Sequence, residues 1–396
     1  MTIRITTKNT ILFLTMVLLI YHTLTFMQAY YSFYITVGVF GLILALYLLG
    51  YKKFVINKKF RAVLLFDAAT ILIILAAIYI RNFDPVQVVG QYFPYIMWST
   101  LYVITEPLFD EQTRKKAIGA VLVVLVIGVI ATLNVVMVDN EAARLLAGAA
   151  KGAVRQEYYR RGVGGYGFVY GMVFILFCIL AWMMLEKKLS IKVLLLTIGV
   201  TVVAMIFFAS YTAAILLTVV TILLAVFSRT KQKNATLFLI LGACVLALFF
   251  EDILIGLRDF AETLDMQWIT KRINQLLEAE TSGDMESLRR VELYQISIET
   301  FFSNILLGGS DIGGHSMFLD TLANYGLIGV LFLGAFLKML NEERRNCTVM
   351  KGSIYYLCIL LLCINTMDII VLLPMMLFAL PLFLKAVDDK KRSLQQ

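Results

Sequence analysis

The chain of 396 residues is 60% hydrophobic and only 16% charged, and its mean hydropathy is +0.85. A soluble domain averages about 45–50% apolar and about 25% charged residues, so this composition excludes an ordinary soluble enzyme. The net charge of +8 comes from basic residues between apolar runs, not from a basic face that would favour nucleic-acid binding. The apolar runs lack the short alternating strands of a membrane β-barrel, so the expected fold is an all-α polytopic membrane protein.

About twelve apolar segments reach or approach the roughly 20 residues that a transmembrane helix needs. They predict a bundle of about nine helices over residues 1–253, a large extracytoplasmic loop over 254–315, and C-terminal helices with a cytoplasmic tail over 316–396. The predicted spans are residues 11–27, 31–50, 62–80, 86–105, 117–138, 163–185, 190–209, 211–228, 235–253, 316–338, 352–367 and 369–385.

Basic clusters in the short loops predict the orientation, because cytoplasmic loops are enriched in Lys and Arg. When both termini are placed in the cytoplasm, every short basic loop falls on the cytoplasmic side. The clusters are Lys52 to Arg61, Arg114 to Lys116, Lys187 to Lys192, Arg229 to Lys233, Arg344 to Lys351 and Lys390 to Arg392.

Two outer loops carry basic residues against this rule. The loop 139–162 contains Arg144, Lys151, Arg155, Arg160 and Arg161, and the loop 254–315 contains Arg258, Lys271, Arg272, Arg289 and Arg290. Either an anionic ligand binds there, or long loops cross the membrane regardless of their charge. Arg289 and Arg290, with Arg160 and Arg161, are candidates for gripping a pyrophosphate through paired hydrogen bonds; contact with anionic lipid headgroups is the alternative.

The long outer loop has a helical pattern of its own. Apolar residues at helical spacing predict an amphipathic helix along the outer leaflet, formed by Phe260, Leu264, Trp268, Ile273 and Leu277. A break at 281–284 precedes a second predicted helix from about Met285 to Ser303.

His315 is the candidate general base. It follows a glycine-rich turn at 308–314, where a neutral imidazole could accept a proton from a substrate hydroxyl; a water-exposed neighbour of the helix N-terminus is the alternative. Ser316 and Asp320 share a helix face beside it. Asp320 would orient the imidazole, bind a substrate hydroxyl or form a hydrogen bond to a neighbouring helix.

The sequence predicts neither a metal nor another cofactor. No Asp-x-Asp pair occurs on the predicted outer side, and no phosphate-binding loop of an ATP-driven pump is present. The five cysteines show no spacing typical of a zinc site or of a disulfide framework, which leaves packing as their expected role.

Short motifs follow one another in a fixed order over residues 289–334. They are Arg290 four residues before Tyr294, then Ile298, Phe301, Asn304, Leu306 and Gly308, then His315-Ser316-x-x-Leu319, Leu322 and Tyr325-Gly326-Leu327-Ile328-Gly329. This stretch resembles the O-antigen polymerase and ligase family, whose members show an Arg before an aromatic residue, an Asn-Pro-Leu-x-Gly turn, a His-Asn or His-Ser, and a Gly-Leu-Ile-Gly. The dozen helices and the late outer loop also agree with that family.

Three positions depart from the family pattern. Ile305 stands where the turn has Pro, and Tyr294 replaces the common Trp. Ser210-Tyr211-Thr212 stands where many members have Ser-Arg, which removes one expected phosphate contact and favours a polymerase over a ligase.

The resemblance implies a metal-independent glycosyl transfer at the outer face of the bacterial cytoplasmic (inner) membrane. A Wzy-type polymerase would transfer a glycan from undecaprenyl diphosphate onto a new lipid-linked repeat unit, to build an O-antigen, capsule or exopolysaccharide. Membrane lipids, a flippase and a chain-length regulator would be its partners. Arg290 and His315 would be catalytic. The expected diphosphate-binding residues are Arg289, Arg160 and Arg161, and the expected sugar-binding or orienting residues are Asp320, Ser316 and Tyr294.

Two other functions fit the sequence. A ligase of the same family would transfer the glycan to a different acceptor. A lipid-linked glycan transporter or flippase is disfavoured, because transporters often show two matching halves and charges near mid-membrane, whereas the candidate residues here lie at the outer edge.

Overall fold

The computed structural model describes residues 6–50, 57–139, 142–146, 152–227, 250–264, 266–277 with gaps, 289–346 and 353–394. These parts of the chain are mainly helical, and no strand occurs in them. The α-helices are α1 (Thr7–Thr23), α2 (Phe33–Gly50), α3 (Lys58–Tyr79), α4 (Pro85–Thr105), α5 (Glu111–Val136), α6 (Ala142–Leu145), α7 (Ala153–Arg160), α8 (Tyr166–Leu185), α9 (Leu189–Phe208), α10 (Thr212–Phe227), α11 (Phe250–Thr263), α12 (Arg289–Ser303), α13 (Met317–Asn346), α14 (Ser353–Ile364), α15 (Leu372–Pro374) and α16 (Leu380–Ser393).

Within the described ranges, six helices are long and apolar enough to cross a membrane: α2, α3, α5, α8, α9 and α13. The chain is therefore an α-helical, multi-pass membrane protein. The core of α10 and most of α14 are apolar but shorter. Most of the predicted span 235–253, and Trp268 with residues 278–288 of the predicted outer loop, lie outside the described residues. The second predicted helix of that loop is described as α12.

Two spanning helices begin earlier than the apolar pattern predicts, because polar side chains cap their first turns. The Asn57 side chain accepts a hydrogen bond from the Phe60 N–H at 2.8 Å, so α3 starts before the predicted residue 62. The Asp110 carboxylate accepts one from the Thr113 N–H at 2.8 Å, so α5 starts before the predicted residue 117. Such caps satisfy backbone donors that the first turn of a helix leaves free.

The centre of the bundle is α8, which is apolar on all sides and mostly buried. A helix of this kind packs inside a bundle instead of facing solvent or lipid on one side. It contacts α9, α10 and α16. The segment from α15 through the π-helical turn Met375–Ala379 into α16 is also buried and completes the centre.

Helix α13 is kinked at Gly326, whose φ is +53°, whereas the sequence predicts one uninterrupted helix there. The turn at 304–308 packs into this kink so closely that a β-carbon on Gly326 would meet backbone atoms of the turn. Arg81 links this turn to the kinked part of α13, since its guanidinium donates hydrogen bonds to the carbonyls of Leu307 at 2.8 Å and Asn324 at 2.7 Å. Motifs that are separate in the sequence thus form one structural unit.

Ion pairs cluster at one end of the bundle, which we call the basic end. Lys59 at the start of α3 pairs with Glu343 near the end of α13 at 2.5 Å, and Lys390 of α16 pairs with Glu186 after α8 at 3.0 Å. Arg114 pairs with Asp389, and Lys385 pairs with Glu106. The short loops that the sequence singles out as basic therefore meet at this end wherever the structure describes them.

Candidate functional site

A cavity of about 440 Å³ lies at the end of the bundle opposite the basic end. Helix α8 shows the separation, because its first turns line the cavity whereas the residue after its last turn, Glu186, belongs to the basic end. Segments far apart in the sequence contribute the lining residues: Gln28, Arg144, Leu146, Arg155, Tyr159, Gly165, Tyr166, Gly167, Tyr170, Tyr211, Gly314, His315, Asn365, Thr366, Met367 and Asp368.

His315, a predicted catalytic residue, is exposed and lines this cavity. It follows Gly314, whose φ of +74° is a left-handed conformation that glycine adopts without steric cost. It precedes Ser316, whose hydroxyl caps α13 by accepting a hydrogen bond from the Leu319 N–H at 3.1 Å. The imidazole is thus both the exposed neighbour of a helix N-terminus and a cavity residue.

Asp320 and Ser316 hold the His315 turn and the start of α13 through hydrogen bonds to the backbone. Neither is among the lining residues of the described cavity. The Asp320 carboxylate accepts hydrogen bonds from the Gly314 N–H at 3.2 Å and the Ser316 N–H at 3.0 Å, one on each side of His315. It also accepts one from the Ser297 hydroxyl of α12 at 2.7 Å. Asp320 therefore orients the backbone of the turn, and its bond to a neighbouring helix is one of the alternatives that the sequence left open.

Arg144 brings a guanidinium to the cavity from the loop 139–162. It donates a hydrogen bond to the Ser210 carbonyl at 2.9 Å and lies 5.9 Å from the ring centre of Tyr211. The Tyr211 hydroxyl donates to the Ala143 carbonyl and so ties α6 to the start of α10. The guanidinium thus lies at the turn where the family pattern has Ser-Arg, although this chain has Tyr at position 211.

The other basic residues of that loop separate into two groups. Arg155 and Tyr159 of α7 line the cavity, and the Arg155 guanidinium lies 5.7 Å from the centre of the Tyr159 ring. Arg160 and Arg161, the predicted diphosphate-binding pair, are exposed and are not among the described lining residues. Arg161 instead lies 5.8 Å from the centre of the Tyr158 ring.

Arg289 and Arg290 lie in the first turn of α12, but their side chains lie outside the described part of the chain. The backbone of this helix is close to the His315 turn, because Gly313 packs against the Leu293 carbonyl. The Tyr294 hydroxyl donates to the Ile364 carbonyl at 3.0 Å, which fastens α12 to the end of α14 next to the cavity residue Asn365. Tyr294 thereby positions the helix that carries both arginines.

Asp368 is a cavity residue that sequence reasoning missed, although it lies between the predicted spans 352–367 and 369–385. Its carboxylate accepts hydrogen bonds from the N–H groups of Val371 at 2.7 Å and Ile370 at 2.9 Å. Removal of water raises the pKa of this carboxyl above its ordinary value, while those N–H groups and the nearby charge of Arg155 pull it back. Gly167 of α8 leaves the space that the carboxyl group occupies.

Aromatic rings and side-chain amides contribute to the rest of the cavity wall. Tyr166 donates a hydrogen bond to the Thr366 carbonyl at 2.8 Å, and its ring centre lies 4.6 Å from that of Tyr170. The side-chain amide nitrogens of Asn365 and Gln28 are buried and have no hydrogen-bond partner in the described part of the chain. Unpaired buried donors are costly, and a ligand oxygen could satisfy them.

The side chains that line the cavity are of kinds that can pair with an anion and form hydrogen bonds to hydroxyl groups. Two guanidinium groups surround it together with one imidazole, one carboxylate and several tyrosines. The described residues contain no group of three or more His, Cys, Asp or Glu side chains that could hold a metal ion. Comparisons of the chain with protein-family models, with curated proteins and with solved structures gave no match.

Proposed function

We propose that the chain is a glycosyltransferase of the bacterial cytoplasmic membrane that polymerises glycan repeat units carried on undecaprenyl diphosphate. The observation that carries the proposal is the convergence of Arg144, Arg155, His315 and Asp368 on one cavity. Such a set can bind a diphosphate and activate a hydroxyl, which are the two requirements of this transfer.

The topology that fits the proposal has about twelve spans, a large extracytoplasmic loop and both termini in the cytoplasm. The basic end would face the cytoplasm, because Lys and Arg are enriched in cytoplasmic loops. The cavity, at the other end of α8, would then open at the outer face, where lipid-linked repeat units would be used.

The diphosphate would bind between Arg144 and Arg155. Each guanidinium can donate two parallel hydrogen bonds to phosphate oxygens, and together they offset two negative charges. This arrangement revises the sequence-based assignment, because Arg144 and Arg155 line the cavity in place of Arg160 and Arg161. Arg290 keeps its proposed role, since the helix that carries it packs beside His315.

His315 would remove the proton from the acceptor hydroxyl as that oxygen attacks the anomeric carbon of the donor glycan. The bond between the anomeric carbon and the diphosphate oxygen breaks in the same step. The lipid diphosphate leaves with the bonding electrons while the arginines stabilise its charge. Asp368, held by two backbone N–H groups, would accept a hydrogen bond from the acceptor sugar. Attack from the face opposite the leaving group inverts the anomeric centre.

The test is reconstitution of the purified protein with a synthetic undecaprenyl-diphosphate repeat unit, with product length read on a gel. The wild-type protein should lengthen the glycan, and Arg144→Ala and His315→Ala should each abolish lengthening at equal protein levels. Arg160→Ala is the matched control, since this exposed arginine lies outside the described cavity lining. Full-length product from both cavity variants would overturn the proposal.

A ligase would use the same cavity with a different acceptor. Tyr211 does not separate the two enzymes, because Arg144 supplies a guanidinium at the same turn. The reconstitution therefore includes a second arm with a lipid core saccharide. Transfer of a single repeat unit to that saccharide, without lengthening of the lipid-linked glycan, would identify a ligase.

A further inference from the structure

A second cavity, of about 280 Å³, lies at the basic end, away from the site described above. Helices α5, α8, α9 and α16 form it, and its walls are mainly apolar. The residues that decide its character are Lys115, Gly119, Leu122, Trp182 and Glu186. We call this cavity the basic-end groove.

The groove runs along the helices from a charged end into the apolar part of the bundle. On α5 it extends from Lys115 to Leu122, and seven residues of α-helix span roughly 10 Å. Along α8 it extends from Glu186, which follows the last turn of the helix, back past Trp182 to Cys178. Tryptophan in a membrane protein favours the level of the lipid headgroups, so the charged end lies at the interface and the apolar end lies deeper.

A glycine borders the open space. Gly119 is exposed, and a β-carbon added to it would meet no atom within 4 Å. Any larger side chain at this position would therefore point into free volume. Glycine is the poorest helix former apart from proline, so Gly119 lowers the intrinsic stability of α5. Its lack of a side chain leaves this part of the groove open.

The charge around the mouth of the groove is positive. Lys115, Lys116, Lys187 and Lys188 are exposed at this end, and Lys115 pairs with the exposed Glu111 of the same helix at 2.5 Å. Lysines still outnumber carboxylates at the mouth when this pair is counted. Glu186 adds little negative charge, because it accepts hydrogen bonds from Lys390 at 3.0 Å and from the backbone N–H of Lys188 at 3.1 Å. A basic mouth above an apolar channel of about 10 Å complements a molecule with an anionic head and a hydrocarbon chain.

We propose that the basic-end groove binds an anionic phospholipid of the adjacent leaflet, with one acyl chain along Gly119 and the phosphate at Lys115 and Lys188. This inference is independent of the glycosyl transfer, because no residue of the groove lines the outer cavity. The lipid would fasten α5 to α8 and α9 at the end where the bundle is already held by ion pairs.

The experiment compares dioleoyl-phosphatidylglycerol with dioleoyl-phosphatidylcholine, which have the same chains and different headgroups. The purified full-length protein in detergent is titrated with each lipid, and binding is counted by native mass spectrometry alongside thermal unfolding. Phosphatidylglycerol should bind at least tenfold more tightly and raise Tm further. Gly119→Leu should weaken its binding at least tenfold, whereas Gly334→Leu, on an exposed helix position with equal free space, should not.

A second variant tests the headgroup without touching the apolar wall. Lys115→Gln combined with Lys188→Gln changes two exposed side chains and should reduce phosphatidylglycerol binding to the level of phosphatidylcholine. Equal binding of the two lipids to the wild-type protein would overturn the proposal. Undiminished phosphatidylglycerol binding by Gly119→Leu would do so as well.

Discussion

Gly167 and Asp368 lie so close together that a β-carbon at position 167 would overlap the Asp368 carboxyl group. The glycine is in the first turn of α8, and the aspartate lies in the link between α14 and α15, some 200 residues later. The carboxylate of the cavity therefore occupies space that only the absence of a side chain on α8 provides.

Gly167→Ala should displace this carboxylate. The overlap would cost about 1–3 kcal/mol of folding stability if the neighbours adjust, and glycan lengthening should fall by roughly tenfold or more. The measurements are Tm and product length. Gly199→Ala is the matched control, because its nearest neighbour, Leu176, lies at an ordinary 3.7 Å and neither quantity should change. Normal product from Gly167→Ala would show that the carboxylate position is unimportant.

Arg144→Lys should reduce kcat although the charge is kept. Lysine cannot donate two parallel hydrogen bonds in a plane, so the leaving diphosphate would lose part of its stabilisation. Loss of one such stabilising group costs about 10²–10³-fold in kcat in enzymes generally, and this sets the scale of the expected effect. Turnover of the lipid-linked repeat unit is the readout. Arg160→Lys serves as the control, and an equal effect of both changes would contradict the assignment.

Asp320→Asn should lower stability and activity together. The carboxylate now accepts hydrogen bonds from two backbone N–H groups. The NH2 group of asparagine would face one of these donors, and an unpaired buried group costs about 1–3 kcal/mol. Ser297→Ala should shift Tm in the same direction, because it removes the partner on α12. If Asp320 bound sugar directly, Asp320→Asn would reduce activity at an unchanged Tm.

Asp368→Asn should lower activity without lowering Tm at pH 7. Burial away from water raises the pKa of the Asp368 carboxyl above its ordinary value of 3.8. The group therefore favours the folded state most below pH 3.8, and this contribution is lost as the pH rises through the raised pKa. Asparagine keeps an oxygen for the Val371 N–H and carries no charge. The variant should match or exceed the wild-type Tm at pH 7 and lose this advantage near pH 4, while lengthening falls. A lower Tm at pH 7 would contradict this account.

Glu186→Gln should destabilise the basic end in a pH-dependent way. The backbone N–H of Lys188 and the Lys390 ammonium lower the pKa of Glu186 from 4.5 to about 2. The carboxylate therefore contributes its full stability above pH 4.5, and this contribution is lost as pH falls toward 2. The Tm difference between variant and wild type should be largest near pH 6 and disappear near pH 2. A constant difference would mean that packing, not charge, is responsible.

The amino-acid sequence determined the class of the protein and the course of its spanning helices. Long apolar runs require helices in a lipid environment, and this requirement is local to each run. The structure agrees for α2, α3, α5, α8 and α9, and for α13 apart from its kink at Gly326. The sequence also singled out His315, because a histidine directly after a glycine-rich turn is unusual in such a chain.

Only the tertiary structure decided which arginines of the loop 139–162 line the cavity. Arg144 is held there by a hydrogen bond to the Ser210 carbonyl, 66 residues later, whereas Arg160 and Arg161 are not among the lining residues of the cavity. Asp368 joins the same cavity through its contact with Gly167. Contacts of this range depend on how helices pack, and packing depends on the shapes of many side chains together. A helix can be read from its own residues, but a site shared by several helices requires their arrangement in space.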